Sequence, residues 1–367
     1  MSDLQKLVQH AIDERVAGGA EVGIQVAVYR HGELIVDAVA GVADPGTGRP
    51  VDSGTPFYTW SMGKAMTATV VHLLVERGLF GYDTPIVELW PEFGAYGKQR
   101  ATVRHALTHT VGVPGIGTQT TVADVCDWEL ICARIAGSEP WWEPGTQTGY
   151  HAYTFGFILG EIVRRATGKR ISELLAEEIG VPLGVADELY FGMPAAEQHR
   201  LARLVDAPGG AEMMGAIPPD SPILRSASPE LWPSAALGNR PDVLTADIPA
   251  GGKMTARAIA RMYAALLGEV DGVRLLTPAR VAEILADPYE GTDQVFGNQV
   301  TWALGFAVGR LGAAPGTDRG AFGMGGAGGT FGYADTATGV AFALTKNLQT
   351  MDFDTSERIC RLVTEAI

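Results

Sequence analysis

Segments with the pattern of β-strands lie near both ends of this 367-residue chain, and mostly helical patterns fill the stretch between them. Residues 22–29 and 33–41 are typical of two strands, and the turn at 30–32 predicts a short hairpin between them. Strand patterns return near the C-terminus at 302–309, 321–324, 330–334 and 340–345. Strands from both ends would share one domain, so the predicted fold class is α+β.

The intervening stretch predicts a second, mainly helical unit. Apolar residues recur at helical spacing in six segments, at 103–108, 123–135, 153–167, 171–178, 255–267 and 278–286. Further amphipathic helices are predicted near the N-terminus, ending at 18–19, and over 355–366. We therefore expect an α/β domain built from residues 1–80 and 295–367, with residues 81–294 inserted as a mainly helical domain.

Composition and spacing exclude several kinds of partner. The net charge of −14 argues against nucleic acid or an anionic membrane surface. Cys126, Cys132 and Cys360 lack metal-ligand spacing and suggest reduced thiols, while His105 and His109 lack the glutamate of a metalloprotease helix. No signal-peptide core or membrane-length apolar run is present. We predict a cytoplasmic protein with no metal or cofactor, and the sequence leaves its oligomeric state open.

A candidate nucleophile and its base stand three residues apart in Ser61-Met62-Gly63-Lys64. Apolar residues follow at helical spacing, which predicts a helix that starts at Ser61 and places both side chains on one face. The positive end of the helix dipole and partial burial would disfavour the lysine cation. A neutral Lys64 amine could then take the proton of Ser61. The alternative is a surface helix start with an exposed lysine.

Tyr150 is a second candidate, because a Pro-Gly turn and a further glycine present it just before an amphipathic helix. A tyrosine in this position can shuttle a proton if cations lower its pKa. The alternative is a tyrosine that only packs or forms a hydrogen bond.

The glycine-rich run 322–329 is the third candidate. It lacks the Gly-Lys-Ser/Thr ending of a phosphate loop, and strands follow it where such a loop has a helix. Its glycines allow a close backbone approach that can aim an N–H group at an oxyanion. The alternative is a tight bend in a sheet.

Together these motifs resemble the serine β-lactamase and penicillin-binding-protein superfamily, closest to class C β-lactamases and the related family VIII carboxylesterases. Ser61-Met62-Gly63-Lys64 matches the family's Ser-x-x-Lys, and residues 107–115 resemble the segment usual after the first helical stretch. Tyr150-His151-Ala152 falls where the family has Tyr-x-Asn or an esterase variant. Met324-Gly325-Gly326 falls where it has Lys-Thr-Gly, or His-Gly-Gly or Trp-Gly-Gly in esterase-like members. The order and spacing agree over nearly the whole chain.

The resemblance implies an antiparallel β-sheet flanked by helices, plus the helical domain, with the active site between them. It implies that Ser61 is the acylated nucleophile and Lys64 its base. Tyr150 would relay protons to the leaving group and activate the incoming nucleophile, and the N–H groups of Ser61 and Ala327 would form the oxyanion hole. The positions implied in substrate binding are Met324, Gly325, Gly326, His151 and Ala152.

Two departures from the family pattern bear on the substrate. Ala152 replaces the asparagine that would contact a β-lactam amide, and Met324 replaces the lysine that would attract a carboxylate. Both favour a neutral small-molecule ester or acyl substrate. The sequence therefore predicts a serine esterase. Three alternatives remain: a transacylase that uses an amine or alcohol acceptor, a β-lactamase or D-amino-acid peptidase, and a non-catalytic binding module.

Overall fold

The computed structural model describes residues 3–209, 217–218, 220–313 and 317–367. Its strands are β1 (Gly23–Arg30), β2 (Glu33–Asp44), β3 (Arg49–Pro50), β4 (Phe57–Trp60), β5 (Leu189–Tyr190), β6 (Val205–Asp206), β7 (Gly252–Met254), β8 (Tyr289–Thr292), β9 (Gln299–Trp302), β10 (Ala307–Val308), β11 (Ala321–Gly326), β12 (Thr330–Asp335), β13 (Val340–Lys346) and β14 (Leu348–Gln349).

The α-helices in the described ranges are α1 (Asp3–Ala17), α2 (Gly63–Glu76), α3 (Ile86–Leu89), α4 (Val103–Leu107), α5 (Val122–Val125), α6 (Trp128–Ala136), α7 (Thr154–Thr167), α8 (Ile171–Leu174), α9 (Val181–Leu183), α10 (Ile223–Ser226), α11 (Ala235–Gly238), α12 (Pro241–Thr245), α13 (Ala256–Leu267), α14 (Pro278–Ala286) and α15 (Asp354–Ala366). Short 3₁₀ or π segments lie at Pro91–Arg100, Leu175–Gly180, Gln198–Arg200 and Pro229–Leu231. None of the helices in the described residues has the length and apolar character that a membrane span needs.

Strands from the two ends of the chain form one antiparallel sheet. In the described residues its order is β3-β2-β1-β13-β12-β11-β10-β9-β8. Strand β1 lies between its hairpin partner β2 and the C-terminal strand β13, with Ile24 opposite Lys346 and Arg30 opposite Val340. This pairing, with helices on both faces, confirms the predicted α+β class and its antiparallel sheet flanked by helices.

The alternation of side chains along β1 explains why both faces of the sheet carry helices. Val26 and Val28 belong to the apolar cluster formed with the terminal helices α1 and α15. Ala27 and Tyr29 point to the opposite face, where α13 packs. Because β1 is buried on both faces, it reads as a nearly continuous apolar strand.

Helix α2 is buried almost all round, and its apolar composition is typical of a core helix. It packs against α7, β7 and β11. Strand β4, which leads into it, belongs to a second small sheet in the order β4-β7-β5, where Trp60 lies opposite Gly252. The start of α2 is therefore held between the small sheet and the glycine-rich strand of the large one.

Two elements of the predicted inserted domain contact the large sheet. Helix α13 packs on β1, β12 and β13, and strand β8 pairs with β9. Both lie before residue 295, so contacts with the large sheet extend into the segment predicted as the inserted domain. The predicted division at residue 294, and the site between two domains, remain predictions.

Several helix predictions are confirmed, among them 278–286, which has the same bounds as α14. The segment predicted as one helix over 123–135 is two helices, because Asp127 caps the start of α6. The predicted strand over 302–309 is likewise interrupted between β9 and β10. Strand β8 was not predicted from sequence, because it is recognisable as a strand only from its pairing with β9.

Candidate active site

Ser61 lies in a tight turn between β4 and α2, so the helix starts two residues later than the sequence predicts. The residue before it, Trp60, has a φ of 48°, in the left-handed region that non-glycine residues rarely adopt. The Trp60 ring stacks on Tyr58 at a centroid distance of 4.3 Å, and its Nε1–H donates to Oε1 of Gln349 at 2.7 Å. These contacts hold the strained backbone that presents Ser61.

Lys64 is fully buried in the first turn of α2. Its Nζ donates to Oγ of Ser61 at 3.0 Å and to the carbonyl oxygen of Ala250 at 3.2 Å. No carboxylate is among these partners, and burial lowers the pKa of Lys64 to about 7. A substantial fraction of Lys64 is therefore neutral near pH 7, and the neutral amine can accept the hydroxyl proton of Ser61.

Tyr150 completes a cluster with these two residues. It is partly exposed in the loop before α7, and Lys64 Nζ lies 4.9 Å from its ring centroid. Burial raises the pKa of Tyr150, and the side chain of Ser61 opposes this only in part. Cations do not lower this pKa as a proton shuttle would require, because desolvation of the phenol dominates. Tyr150 is thus protonated at neutral pH and can donate a proton.

The glycine-rich strand β11 ends beside the turn of Ser61. Gly326 packs against the carbonyl group of Thr59, and Oγ1 of Thr330 donates to the same carbonyl at 3.1 Å. The loop that starts at Ala327 is thereby brought next to β4. Among the described residues, neither the N–H of Ser61 nor that of Ala327 donates in a backbone–backbone hydrogen bond. Both groups are therefore available to an oxyanion.

His151 is placed differently from the sequence-based expectation. Its side chain is fully buried, its Nε2 accepts from the N–H of Val113 at 3.1 Å, and its Nδ1 lies 2.6 Å from the carbonyl oxygen of Gly149. Both ring nitrogens are engaged with the backbone, which argues against the substrate contact expected for this residue. The neighbouring Ala152 is partly exposed.

Met324 also differs from expectation. It is 3% exposed and belongs to the main apolar core, so its side chain packs inside the protein instead of reaching a substrate. Gly325, which alternates to the other face of β11, faces the ring of Phe353, and Gly326 is buried. Met324 nevertheless leaves this strand position without a positive charge, as the sequence predicts.

Sequence reasoning missed Phe296, which lies next to Tyr150. Its side chain is 55% exposed, with its ring centroid 5.7 Å from that of Tyr150. Its N–H donates to Oδ1 of Asp293 at 2.9 Å, and the N–H of Gln294 donates to the carbonyl of Thr148 at 2.8 Å. The turn is thus fixed to the loop of Tyr150. The only sequence signal was the apolar pair Val295-Phe296 between polar residues.

The sequence model of the family described as Beta-lactamase matches residues 8–362. The chain is similar to Esterase/beta-lactamase LipL of Mycobacterium tuberculosis, with 35% identity over 344 residues that cover 91% of this chain and 77% of LipL.

Several solved structures are similar over the whole chain. A family VIII carboxylesterase superposes with a TM-score of 0.89 at 32% identity, and the match covers 100% of this chain and 98% of that one. A penicillin-binding protein homologue from Caulobacter crescentus superposes with a TM-score of 0.86 at 31% identity, with the same coverage.

Proposed function

This chain belongs to the Beta-lactamase family and is an enzyme of the serine hydrolase and acyltransferase type, and we propose that it hydrolyses neutral esters through an acyl-enzyme on Ser61. One observation carries the proposal. The buried Lys64 amine lies 3.0 Å from Ser61 Oγ, has no carboxylate among its hydrogen-bond partners, and has a pKa of about 7. The names of the similar proteins, an esterase/beta-lactamase and a carboxylesterase, agree with this chemistry.

In the proposed acylation step, Ser61 Oγ attacks the ester carbonyl carbon while its proton passes to the neutral Lys64 amine. The carbonyl oxygen gains the negative charge and is held by the N–H groups of Ser61 and Ala327. Such donors act strongly because they are oriented before the charge develops. The tight turn at Trp60 supports this role by fixing the N–H of Ser61.

Collapse of the tetrahedral intermediate breaks the bond to the leaving-group oxygen, which needs a proton to leave as an alcohol. Tyr150 is proposed as its donor, since its hydroxyl is protonated at neutral pH and its ring lies beside Lys64, the base of Ser61. The ammonium of Lys64 then restores the phenol proton. Water then attacks the acyl-enzyme carbonyl while the neutral Lys64 amine takes its proton. The bond between the acyl carbon and Ser61 Oγ breaks, and the proton held by Lys64 returns to Oγ through Tyr150, which leaves the acid and free Ser61.

The charges around the site favour a neutral substrate. Met324 carries no cation, and two other basic residues of the C-terminal region already have partners. Lys346 forms a buried ion pair with Glu21 at 2.7 Å, and Arg319 pairs with Glu290. The exposed ring of Phe296 beside Tyr150 offers an apolar contact to the alcohol part of an ester.

The test compares p-nitrophenyl butyrate with the anionic β-lactam nitrocefin. We expect the ester to be turned over with a kcat/KM well above that for nitrocefin, and Ser61→Ala to remove both activities. Equal turnover of nitrocefin would overturn the neutral-substrate proposal and favour the β-lactamase alternative. Addition of alcohol or amine acceptors, with products read by mass spectrometry, distinguishes the transacylase alternative. The cytoplasmic location remains a prediction, which cell fractionation tests.

A further inference from the structure

Three hydrogen bonds that His109 accepts hold the loop on both sides of Tyr150. His109 is fully buried just after α4 and has a φ of 58°. Its carbonyl oxygen accepts from the N–H of Gly149 at 3.1 Å and from Oγ1 of Thr148 at 3.3 Å. Its ring Nδ1 accepts from the N–H of His151 at 3.1 Å. One residue therefore fixes the backbone immediately before and after Tyr150.

The ring of His109 also contacts the phenol directly. Its centroid lies 4.9 Å from that of Tyr150, 4.9 Å from that of Phe155 and 4.5 Å from that of Trp302. Trp302 in turn stacks on Tyr150 at 6.0 Å. The phenol is thus packed against the rings of His109 and Trp302, which also contact each other.

The hydrogen bond from His151 fixes the tautomer of His109. Because Nδ1 accepts, it carries a lone pair, and the ring proton must be on Nε2. Burial, and then His151 and Lys64, hold the pKa of His109 well below its usual value, so the ring is neutral. His105 likewise uses Nδ1 to accept from the N–H of Thr102. Nδ1 of both histidines therefore accepts from a backbone N–H group, and the pair has a structural use.

We infer that His109 is a positioning residue that aims the hydroxyl of Tyr150 at the leaving-group oxygen. The inference rests on the proposed function, in which Tyr150 gives that oxygen its proton. A loss of this positioning should affect some esters more than others. An alkoxide must be protonated to leave, whereas p-nitrophenolate leaves without a proton. A displaced Tyr150 therefore harms alkyl esters more than p-nitrophenyl esters of the same acid.

The experiment compares ethyl butyrate with p-nitrophenyl butyrate by kcat/KM, which reports the steps through release of the alcohol. His109→Asn and His109→Leu have similar shapes, but only Asn retains an acceptor near Nδ1, and Asn tolerates a positive φ. For His109→Leu we expect the ethyl ester to lose roughly 10²-fold, a scale known for misplacement of about 1 Å, and the p-nitrophenyl ester to lose much less. His109→Asn should restore most of the ratio between the two esters.

A matched control is His72→Asn, which changes another buried histidine, bonded to Tyr82 and to the carbonyl of Leu304, and should leave the ratio unchanged. Loss of folded protein lowers both activities equally, so the ratio isolates positioning. If His109→Leu does not fold, Thr148→Val removes one bond to the same carbonyl and should shift the ratio in the same direction. Equal losses on both esters, or no restoration by His109→Asn, would overturn the inference. If Ser61→Ala retains ester turnover, the proposed function has failed instead.

Discussion

A Cβ atom at Gly326 would lie 2.1 Å from the carbonyl oxygen of Thr59. No real side chain tolerates such a distance, so glycine is required where the large sheet touches the strand that leads to Ser61. Through this contact the loop of Ala327 and the turn of Ser61 have a fixed spacing. The two N–H groups proposed for the oxyanion hole therefore depend on a packing contact between two separate sheets.

The first prediction concerns this contact. Gly326→Ala should push β11 away from β4, reduce stability by about 1–3 kcal/mol as overpacking does, and lower kcat by roughly 10²-fold. Gly268→Ala, at an open position without a positive φ where an added Cβ meets no atom within 4 Å, is the control for the substitution itself. Thermal unfolding and esterase kinetics would be measured on both. Full activity in Gly326→Ala would show that the two N–H groups need no such spacing.

The second prediction is a rising pH–rate profile. Lys64 must be neutral to take the proton of Ser61, and burial lowers its pKa to about 7. The value of kcat/KM should therefore increase tenfold per pH unit below this value and level off above it. Since burial raises the pKa of Tyr150, the phenol stays protonated well beyond the plateau. If kcat/KM rose only near the ordinary pKa of lysine, or did not change from pH 5 to 9, the role of Lys64 would be contradicted.

Lys64 and Tyr150 are expected to act as one unit. Lys64→Ala and Tyr150→Phe should each lower kcat by roughly 10²- to 10⁴-fold, and the double variant should be little worse than either single one. The reason is that the proton leaves and returns through both groups. Steady-state kinetics of the three variants provide the test, and losses that multiply would mean that the two residues act independently.

The principal elements of this fold follow from its sequence, but the surroundings of single residues do not. Helix α14 and the hairpin of β1 and β2 were predictable from local pattern alone. The burial of His151 and Met324 depends on which distant segments cover them, and no local pattern contains that information. The same holds for Tyr150, whose pKa rises because the fold desolvates its phenol, whereas the proton shuttle considered from sequence requires cations to lower it.

Phe296 should contribute to selection of the alcohol part of the substrate. Phe296→Ala is expected to reduce the preference for naphthyl butyrate over methyl butyrate by roughly three- to tenfold, since an aromatic contact contributes about 0.5–1.5 kcal/mol. Tyr96→Ala removes another exposed aromatic ring, 65% exposed, and should keep the preference. The ratio of kcat/KM values for the two esters is the measurement. An unchanged ratio in Phe296→Ala would remove this residue from the substrate site.

The central claim is that Ser61 becomes covalently acylated with Lys64 as its base. Intact-mass spectrometry after exposure to a fluorophosphonate, followed by peptide mapping, tests it most directly. The account predicts one added phosphonyl group on Ser61 in the wild type, much slower labelling of Lys64→Ala, and none in Ser61→Ala. Labelling at another residue, together with ester turnover that survives in Ser61→Ala, would contradict it.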